Sequence, residues 1–290
     1  MTAPTSPSPY TPAFEEQSIS AGIGPPLRCC HTSLDHRKPY LAVVLPFGIP
    51  AEVCGAAFQR LRAKFNVVTW EGRYILNPGL PFSGSENLAP ADYVGDLLAI
   101  LEALRIKTCT LLGYCSGGGI SLVAASQHPA VFPELLLVNG EYQLFRRGHV
   151  STAYQRSIDS FLPAVAGSRE SARSIFSTMA DVAKASQGEV ATELQRHMNT
   201  PFSTEERLFR YARTYMTYRE FDALEFAPRI PQTTLVVTGR LDEHSNMENS
   251  EAVCDRIPQS NLFIDDEGDH YAFCRSGSDT LEAIATYLGV

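Results

Sequence analysis

The chain has 290 residues, of which 44% are hydrophobic and 19% are charged, a balance typical of globular proteins. This composition excludes collagen, coiled coils and extensive disorder, and the net charge of −8 argues against a generally basic surface for nucleic acid. From this charge we expect no nucleic-acid partner. The sequence has no run of about 18 uncharged apolar residues, so we also expect no membrane-spanning helix.

The N-terminal segment is rich in Pro, Ser and Thr, and we expect residues 1–25 to form a disordered lead-in. This segment lacks the basic start and the apolar run of a secretory signal. The seven cysteines are an odd number without CxxC spacing, which indicates neither a disulfide framework nor a metal site. We therefore expect a cytoplasmic protein with reduced thiols and no bound metal.

From residue 40 onwards, short apolar runs alternate with segments of helical periodicity. Strands are predicted at 41–45, 65–70, 108–113 and 135–138, and helices at 52–64, 91–104 and 119–128. Continuous apolar strands separated by helices are typical of a parallel sheet covered on both faces. The sequence therefore predicts an α/β fold.

The alternation stops after residue 142, and residues 143–228 have helical patterns but no convincing strand. The sheet pattern then resumes, with strands predicted at 233–238 and 261–264 and a last helix at 279–288. The simplest organisation is a core made of residues 26–142 and 229–290, with residues 143–228 inserted as a helical cap.

A glycine-rich turn between a predicted strand and a predicted helix has the sequence Gly-Tyr-Cys-Ser-Gly. Gly113 and Gly117 flank Cys115 by two residues on each side, as the tight turn of a G-x-nucleophile-x-G elbow requires. With Ser116 at the centre, Tyr114 would fill a position that admits only a small residue. Cys115 is therefore the predicted nucleophile, and the backbone N–H of Ser116 at the helix N-terminus is a predicted oxyanion donor.

Two further residues follow in the order of the α/β-hydrolases. Asp242 ends a Thr-Gly-Arg-Leu-Asp turn after a predicted strand, and His270 lies in Gly-Asp-His after the next strand. From about residue 40 to its end, the chain therefore resembles the α/β-hydrolase superfamily. The resemblance implies a mostly parallel central sheet with helices on both faces, an inserted helical cap, and a Cys115–His270–Asp242 triad.

Three neighbouring positions leave alternatives open. Glu141 rivals Asp242, because some carrier-protein thioesterases of this fold place the acid after the earlier strand, and it could instead shape an acyl pocket. Many relatives have His-Gly-x-Pro after the first strand, where this chain has Phe-Gly-Ile-Pro, so by position the N–H of Ile49 is the second oxyanion donor. His244, two residues after Asp242, could line the pocket, but we expect an ordinary turn residue there.

A cysteine nucleophile forms a thioester with the acyl group, so transfer from a thioester donor is nearly isoenergetic. The elbow, the order of the three residues, the cap and the size resemble the thioesterase-like aminoacyl or acyl shuttles of nonribosomal peptide synthesis. This resemblance implies a small acyl or aminoacyl substrate and an acyl or peptidyl carrier protein as the partner. It implies no bound cofactor, because the phosphopantetheine arrives on the carrier protein.

Three other functions remain open: hydrolysis of a thioester or of a lactone, as in dienelactone hydrolases; Dieckmann-type acyl cyclisation; and ligand binding without catalysis, as in receptors of this fold. Arg207, Arg210 and Arg213 lie close together in the predicted cap, with tyrosines between them. We expect these arginines to form either a docking surface for an acidic carrier protein or a solvated helix face.

Overall fold

The computed structural model of the chain describes residues 14–21, 24–86, 88–145, 148–185 and 192–290. Within these ranges, no helix combines the length and the apolarity needed to cross a membrane. The predicted lead-in at residues 1–25 lies partly outside them, since residues 1–13 are not described.

A central sheet organises the described residues. Its strands are β1 (Glu15–Ile19), β2 (Leu27–His31), β3 (Tyr40–Val44), β4 (Asn66–Trp70), β5 (Thr110–Tyr114), β6 (Glu134–Val138), β7 (Thr233–Gly239) and β8 (Ser260–Asp265). They lie in the order β1-β2-β4-β3-β5-β6-β7-β8, in which β3 to β8 are parallel and β1 and β2 are antiparallel to their neighbours. The predicted α/β-hydrolase architecture, a mostly parallel sheet among helices, is confirmed.

Helices connect the parallel strands. The α-helices are α1 (Gly55–Leu61), α2 (Pro90–Ala103), α3 (Ser116–Gln127), α4 (Ala153–Gly167), α5 (Arg169–Ala185), α6 (Glu193–Met198), α7 (Glu205–Tyr218), α8 (Ala223–Phe226), α9 (Met247–Cys254) and α10 (Asp279–Tyr287). Helix α2 begins at a proline, which has no N–H to leave unpaired, and its buried stripe includes Val94, Leu97 and Leu101. The described residues between β6 and β7 form α4 to α8 and contain no strand, but the bounds of a separate cap at 143–228 stay a prediction.

The register of the parallel strands determines where the loops meet. Tyr114 pairs with Val138, Val138 pairs with Val237, and Gly239 pairs with Asp265, so the ends of β5 to β8 lie side by side. Parallel strands put all their carboxyl ends at one edge of the sheet. The residues that follow these four strands are therefore neighbours in space, although they are far apart in the sequence.

Two features differ from the predictions. β1 lies inside the segment expected to be disordered, because Glu15–Ile19 pairs along its whole length with β2 and Ile19 is buried. Helix α3 begins at Ser116 and not at residue 119, so it includes three consecutive glycines. They belong there because a side chain would not fit: at Gly117 it would lie 2.1 Å from the Val44 carbonyl oxygen.

Candidate active site

The turn after β5 places Cys115 in a strained main-chain conformation. Its φ of 54° lies in the left-handed region, which residues other than glycine rarely adopt. The Cys115 N–H donates to the Val138 carbonyl at 3.0 Å, and the Cys115 carbonyl accepts the N–H of Gly118 at 2.9 Å. A side chain at Gly113 would lie 2.5 Å from the Gly117 carbonyl oxygen, so the turn requires glycine there. The half-buried thiol thus sits at the N-cap of α3.

His270 follows β8 and contacts the carboxylate of Asp242. The His270 Nδ1 atom lies 2.8 Å from the Asp242 Oδ2 atom, and both side chains are buried. The other Asp242 oxygen accepts the N–H groups of His244 at 2.7 Å and Ser245 at 2.8 Å, which fixes the carboxylate. Burial alone would lower the pKa of His270, but the negative charges of Asp242 and Cys115 outweigh burial and raise that pKa well above its usual value.

The thiol of Cys115 contacts two groups that favour its ionised form. The pKa of Cys115 is raised above its usual value, because burial outweighs the charge of His270, a hydrogen bond to its imidazole and the N–H of Ser116, which all lower it. Because Asp242 occupies Nδ1, the imidazole is left with Nε2 to face the sulfur. Attraction between a thiolate and an imidazolium thus opposes the penalty of burying either charge alone.

Two residues that the sequence analysis missed hold the loop of His270. The Asn139 Nδ2 atom donates to the carbonyls of Asp269 at 3.0 Å and His270 at 3.1 Å, and its Oδ1 atom accepts the N–H of Gly239 at 3.0 Å. The Tyr114 hydroxyl also donates to the His270 carbonyl, at 2.9 Å. The signal in the sequence was an asparagine directly after a buried strand, since asparagine tolerates the positive φ of 44° found there.

His244 is part of the site, so the expectation of an ordinary turn residue is wrong. Its ring stacks on that of His270, with centroids 4.7 Å apart, and its Nε2 atom lies 3.1 Å from the Tyr271 hydroxyl. Burial and then repulsion by His270 lower the pKa of His244 to about 4, so it is neutral at neutral pH.

A possible metal-ligand set overlaps these residues. Among the described residues, Asp242, His244 and His270 form a group whose ligand atoms all lie within 4.8 Å of one another. Asp242 and His270 already hydrogen-bond to each other, as a metal-free site requires. The absence of a bound metal stays a prediction.

Glu141 faces the thiol and not the Nδ1 side of the imidazole. Its Oε2 atom lies 3.9 Å from the Cys115 Sγ atom, whereas Asp242 is the carboxylate that contacts His270 Nδ1. Burial, opposed by the charge of His270, raises the pKa of Glu141 to about 7. Its Oε1 atom is buried and has no hydrogen-bond partner among the described residues. Of the two rival carboxylates, Asp242 therefore contacts the imidazole and Glu141 lines the cavity. The role of Asp242 as the triad acid stays a prediction.

One of the two predicted oxyanion donors, the N–H of Ile49, is already hydrogen-bonded within the protein. The N–H of Ser116, at the N-terminus of α3, lowers the pKa of Cys115 and is therefore close to the sulfur. Its role as a donor to the carbonyl oxygen of a substrate, where charge develops during attack, stays a prediction. The N–H of Ile49 instead donates to the Pro46 carbonyl at 3.2 Å, because Gly48, with φ of 81°, folds this segment into a tight turn. The Ile49 side chain does line the cavity. The role of the Ile49 N–H as a donor stays a prediction.

The structure contradicts the prediction that Arg210 is a docking residue. Arg210 is only 2% exposed, and it donates to four carbonyls of residues 74–80 and to Glu206 Oε1 at 2.8 Å. It points inward because the α7 face that carries it packs against this loop. Arg207 donates to Ser203 Oγ at 2.9 Å and Arg213 to the Gly84 carbonyl at 2.6 Å, and both are half-buried.

Two neighbouring cavities occupy this edge of the molecule. The smaller cavity, of about 80 Å³, contains Cys115, Glu141, His244 and His270 in its wall. The larger one is a mainly apolar groove of about 780 Å³ between α4, α5 and the segment before α7. Both are lined by Tyr154, Asn199 and Phe202, so the groove adjoins the space at the thiol.

Comparisons with known proteins agree with this fold. The model of the α/β hydrolase fold family matches residues 77–275. An L-allo-isoleucyltransferase from Pseudomonas savastanoi pv. glycinea is 23% identical over 252 residues, which cover 84% of this chain and 85% of that protein.

Solved structures are similar in fold. The enol-lactonase from Burkholderia xenovorans has a TM-score of 0.69 at 16% identity, covering 91% of this chain and 97% of its own. An esterase from Exiguobacterium antarcticum has a TM-score of 0.70 at 16% identity, covering 95% of this chain and all of its own. At these identities the likeness shows the fold alone.

Proposed function

The chain belongs to the α/β-hydrolase fold family, and from that premise we propose that it is an acyl- or aminoacyltransferase working through a thioester on Cys115. The observation that carries this proposal is the presence of Cys115 and His270 in the wall of one cavity, with the Nδ1 atom of His270 in contact with Asp242 at 2.8 Å. A thiol, an imidazole and an orienting carboxylate are the parts of a nucleophilic acyl-transfer site.

The first half-reaction loads the enzyme. The Nε2 atom of His270 accepts the Cys115 proton, and the thiolate attacks the carbonyl carbon of a donor thioester. The Ser116 N–H stabilises the oxyanion, and the Ile49 N–H joins it once its bond to Pro46 opens. The bond to the donor sulfur then breaks, and the departing thiolate takes the proton from His270.

The second half-reaction reverses these steps with a different thiol. An acceptor thiol gives its proton to His270 and attacks the Cys115 thioester, after which Cys115 leaves and regains the proton. One thioester is exchanged for another in each half, so neither is strongly uphill. A cysteine therefore suits transfer between thiols better than it suits cleavage of amides or esters.

We propose that the donor and acceptor thiols are phosphopantetheine groups on acyl or peptidyl carrier proteins, in nonribosomal peptide synthesis. The name of the similar Pseudomonas protein states the transfer of an aminoacyl group, which supports transfer rather than hydrolysis. Arg207 contacts Ser203, which lines the groove beside the thiol, so Arg207 remains a candidate contact for an acidic carrier. The groove is the proposed path of the pantetheine arm.

Intact-protein mass spectrometry tests the proposal. We expect an L-isoleucyl pantetheine thioester to add one isoleucyl group to the parent protein and none to Cys115→Ala. Free pantetheine, added after the excess donor is removed, should then take the group from Cys115 as its thioester faster than water removes it. A persistent adduct on Cys115→Ala would contradict the site, and release to water alone would make the protein a thioesterase.

A further inference from the structure

The carboxylate of Glu141 has no function in the acyl-transfer steps as described. The side chain is only 7% exposed, its Oε2 atom lies 3.9 Å from the Cys115 sulfur, and its Oε1 atom is buried without a partner among the described residues. Buried carboxylate oxygens are nearly always hydrogen-bonded, because an unpaired one loses its hydration without compensation. Glu141 is one of the residues that line the cavity that contains the thiol.

The position of Glu141 is unfavourable for an enzyme that needs only a thiolate. Its charge raises the pKa of Cys115, which opposes formation of the nucleophile. The main chain of Glu141 does support the site, since its N–H donates to the Cys115 carbonyl at 3.1 Å and its carbonyl accepts the Tyr218 hydroxyl at 2.5 Å. Any residue would make those two bonds, so they do not explain the acidic side chain.

We propose that Glu141 binds the α-ammonium group of an aminoacyl substrate, both in the incoming thioester and in the thioester on Cys115. This inference rests on the proposed acyl transfer and narrows its substrate to groups that carry a free α-amine. The positive charge of the ammonium group attracts both Glu141 and the thiolate, so it offsets the repulsion between them and favours binding of the substrate. The same group also donates a hydrogen bond to the unpaired oxygen of Glu141.

The geometry of an aminoacyl thioester matches the spacing observed. The sulfur and the α-nitrogen are separated only by the carbonyl carbon and the α-carbon, so the two atoms lie about 3 to 4 Å apart. An ammonium–carboxylate hydrogen bond adds about 2.8 Å in a different direction. A carboxylate oxygen 3.9 Å from the Cys115 sulfur is therefore within reach of that nitrogen.

The other acidic groups near Glu141 already have hydrogen-bond partners, so they are not available to bind the ammonium group. Asp159 on α4 is paired with Arg219 at 2.9 Å and accepts the Tyr215 hydroxyl at 2.8 Å. Asp242 is occupied by His270 and by two backbone N–H groups. The imidazole of His270 is a basic group and not an acidic one, and its charge is balanced by Asp242 at 2.8 Å and by Cys115. Glu141 is thus the acidic group in the wall of the small cavity that has an unpaired oxygen.

A pair of matched substrates tests this inference. L-isoleucyl pantetheine thioester and 3-methylpentanoyl pantetheine thioester differ only in the α-amine, and the rate at which each labels Cys115 is followed by intact-protein mass spectrometry. A free thiol such as N-acetylcysteine gives the intrinsic ratio of the two rates, because the α-ammonium itself activates the carbonyl. We expect the ratio in the parent protein to exceed that intrinsic ratio at least about tenfold, since a group built to bind one polar partner discriminates against its absence. In Glu141→Gln the ratio should fall close to the intrinsic ratio.

Glu134→Gln is the matched control, because Glu134 is a carboxylate at the opposite end of β6 and bonds to Thr110 away from the cavity. It should keep the ratio of the parent protein. A ratio in the parent protein no higher than the intrinsic ratio would overturn the inference and leave acyl transfer standing, and this measurement needs no variant to fold. A Glu141→Gln protein with an undiminished ratio would also overturn it. If neither compound labels Cys115, the proposed function fails, and the inference fails with it.

Discussion

The side-chain amide of Asn139 donates a hydrogen bond of 3.1 Å to the main-chain carbonyl of His270. Asn139 follows β6, whereas His270 lies on the loop after β8, so this bond ties the loop to a strand two positions away in the sheet. The imidazole must meet both Asp242 and Cys115, and a small shift of the loop would break one of these contacts. Asn139 is thus a positioning residue for the histidine.

Asn139→Gly should therefore lower the rate of Cys115 acylation by about tenfold to a hundredfold. Glycine keeps the positive φ of 44° but removes the amide, which separates loss of the hydrogen bonds from backbone strain. The diagnostic measurement is the pH dependence of Cys115 alkylation by iodoacetamide. Its midpoint should move to higher pH, because a displaced imidazolium stabilises the thiolate less. A variant that is merely less stable would keep the midpoint of the parent protein.

Asp242→Asn should reduce acylation by about a hundredfold to ten-thousandfold, because an amide can neither hold the imidazole in the required tautomer nor stabilise its cation. The charge of Asp242 raises the pKa of His270, so NMR titration of the imidazole should give a lower pKa in the variant. If Asp242→Asn costs less than threefold while Glu141→Gln abolishes labelling by both substrates, Glu141 is the triad acid instead.

Cys115→Ser should accept acyl groups slowly and fail to pass them to a thiol. The serine ester is more stable than the thioester it comes from, so returning the acyl group to a thiol is uphill. We expect the rate of transfer to pantetheine to fall at least about a hundredfold. Cys254→Ser, at another of the free thiols, is the control and should transfer like the parent protein. Unimpaired transfer by Cys115→Ser would contradict a thioester intermediate.

Glu141→Gln should be more stable than the parent protein in weakly alkaline solution. Folding raises the pKa of Glu141 from 4.5 to about 7. Below pH 4.5 the side chain is protonated in both states, and its contribution to the free energy of unfolding is fully present. This contribution is lost as the pH rises through about 7, because the folded protein then has to bury a charged carboxylate.

The difference between the pKa of Glu141 in the unfolded and in the folded protein corresponds to at most about 3 kcal/mol in the free energy of unfolding. Urea unfolding of both proteins at about pH 5 and about pH 8 measures it. The advantage of the variant should grow between the two pH values, and an advantage independent of pH would contradict the raised pKa.

Arg210→Met should lower the free energy of unfolding by about 3 kcal/mol or more, because it leaves buried carbonyls of residues 74–80 without donors. Arg207→Met, three residues earlier on the same helix, should change it by less than about 0.5 kcal/mol. Urea unfolding of the two variants gives the comparison. Equal effects would contradict the structural role of Arg210.

The sequence by itself determined the architecture and the register of the turn that carries the proposed nucleophile. Each of the six strands predicted from apolar runs is present. Five of them are buried along most of their length, where apolar residues are required, and β8 at the edge of the sheet is partly exposed. The spacing of Gly113 and Gly117 determined the register of the turn, since no other residue fits that close to the main chain. These features are local, so a short stretch of sequence contains the whole signal. The antiparallel strands β1 and β2 were missed because their pairing with the sheet is not encoded locally.

Only the tertiary structure decided what the neighbouring side chains do. Glu141 and Asp242 follow adjacent parallel strands, so the sequence brings both to the same edge and cannot tell them apart. The direction of each side chain places Asp242 against the imidazole and Glu141 against the thiol. Arg210 likewise looked like its neighbours on α7 until the packing of that helix buried it. Side-chain direction depends on contacts between distant segments, and such contacts exist only once the chain has folded.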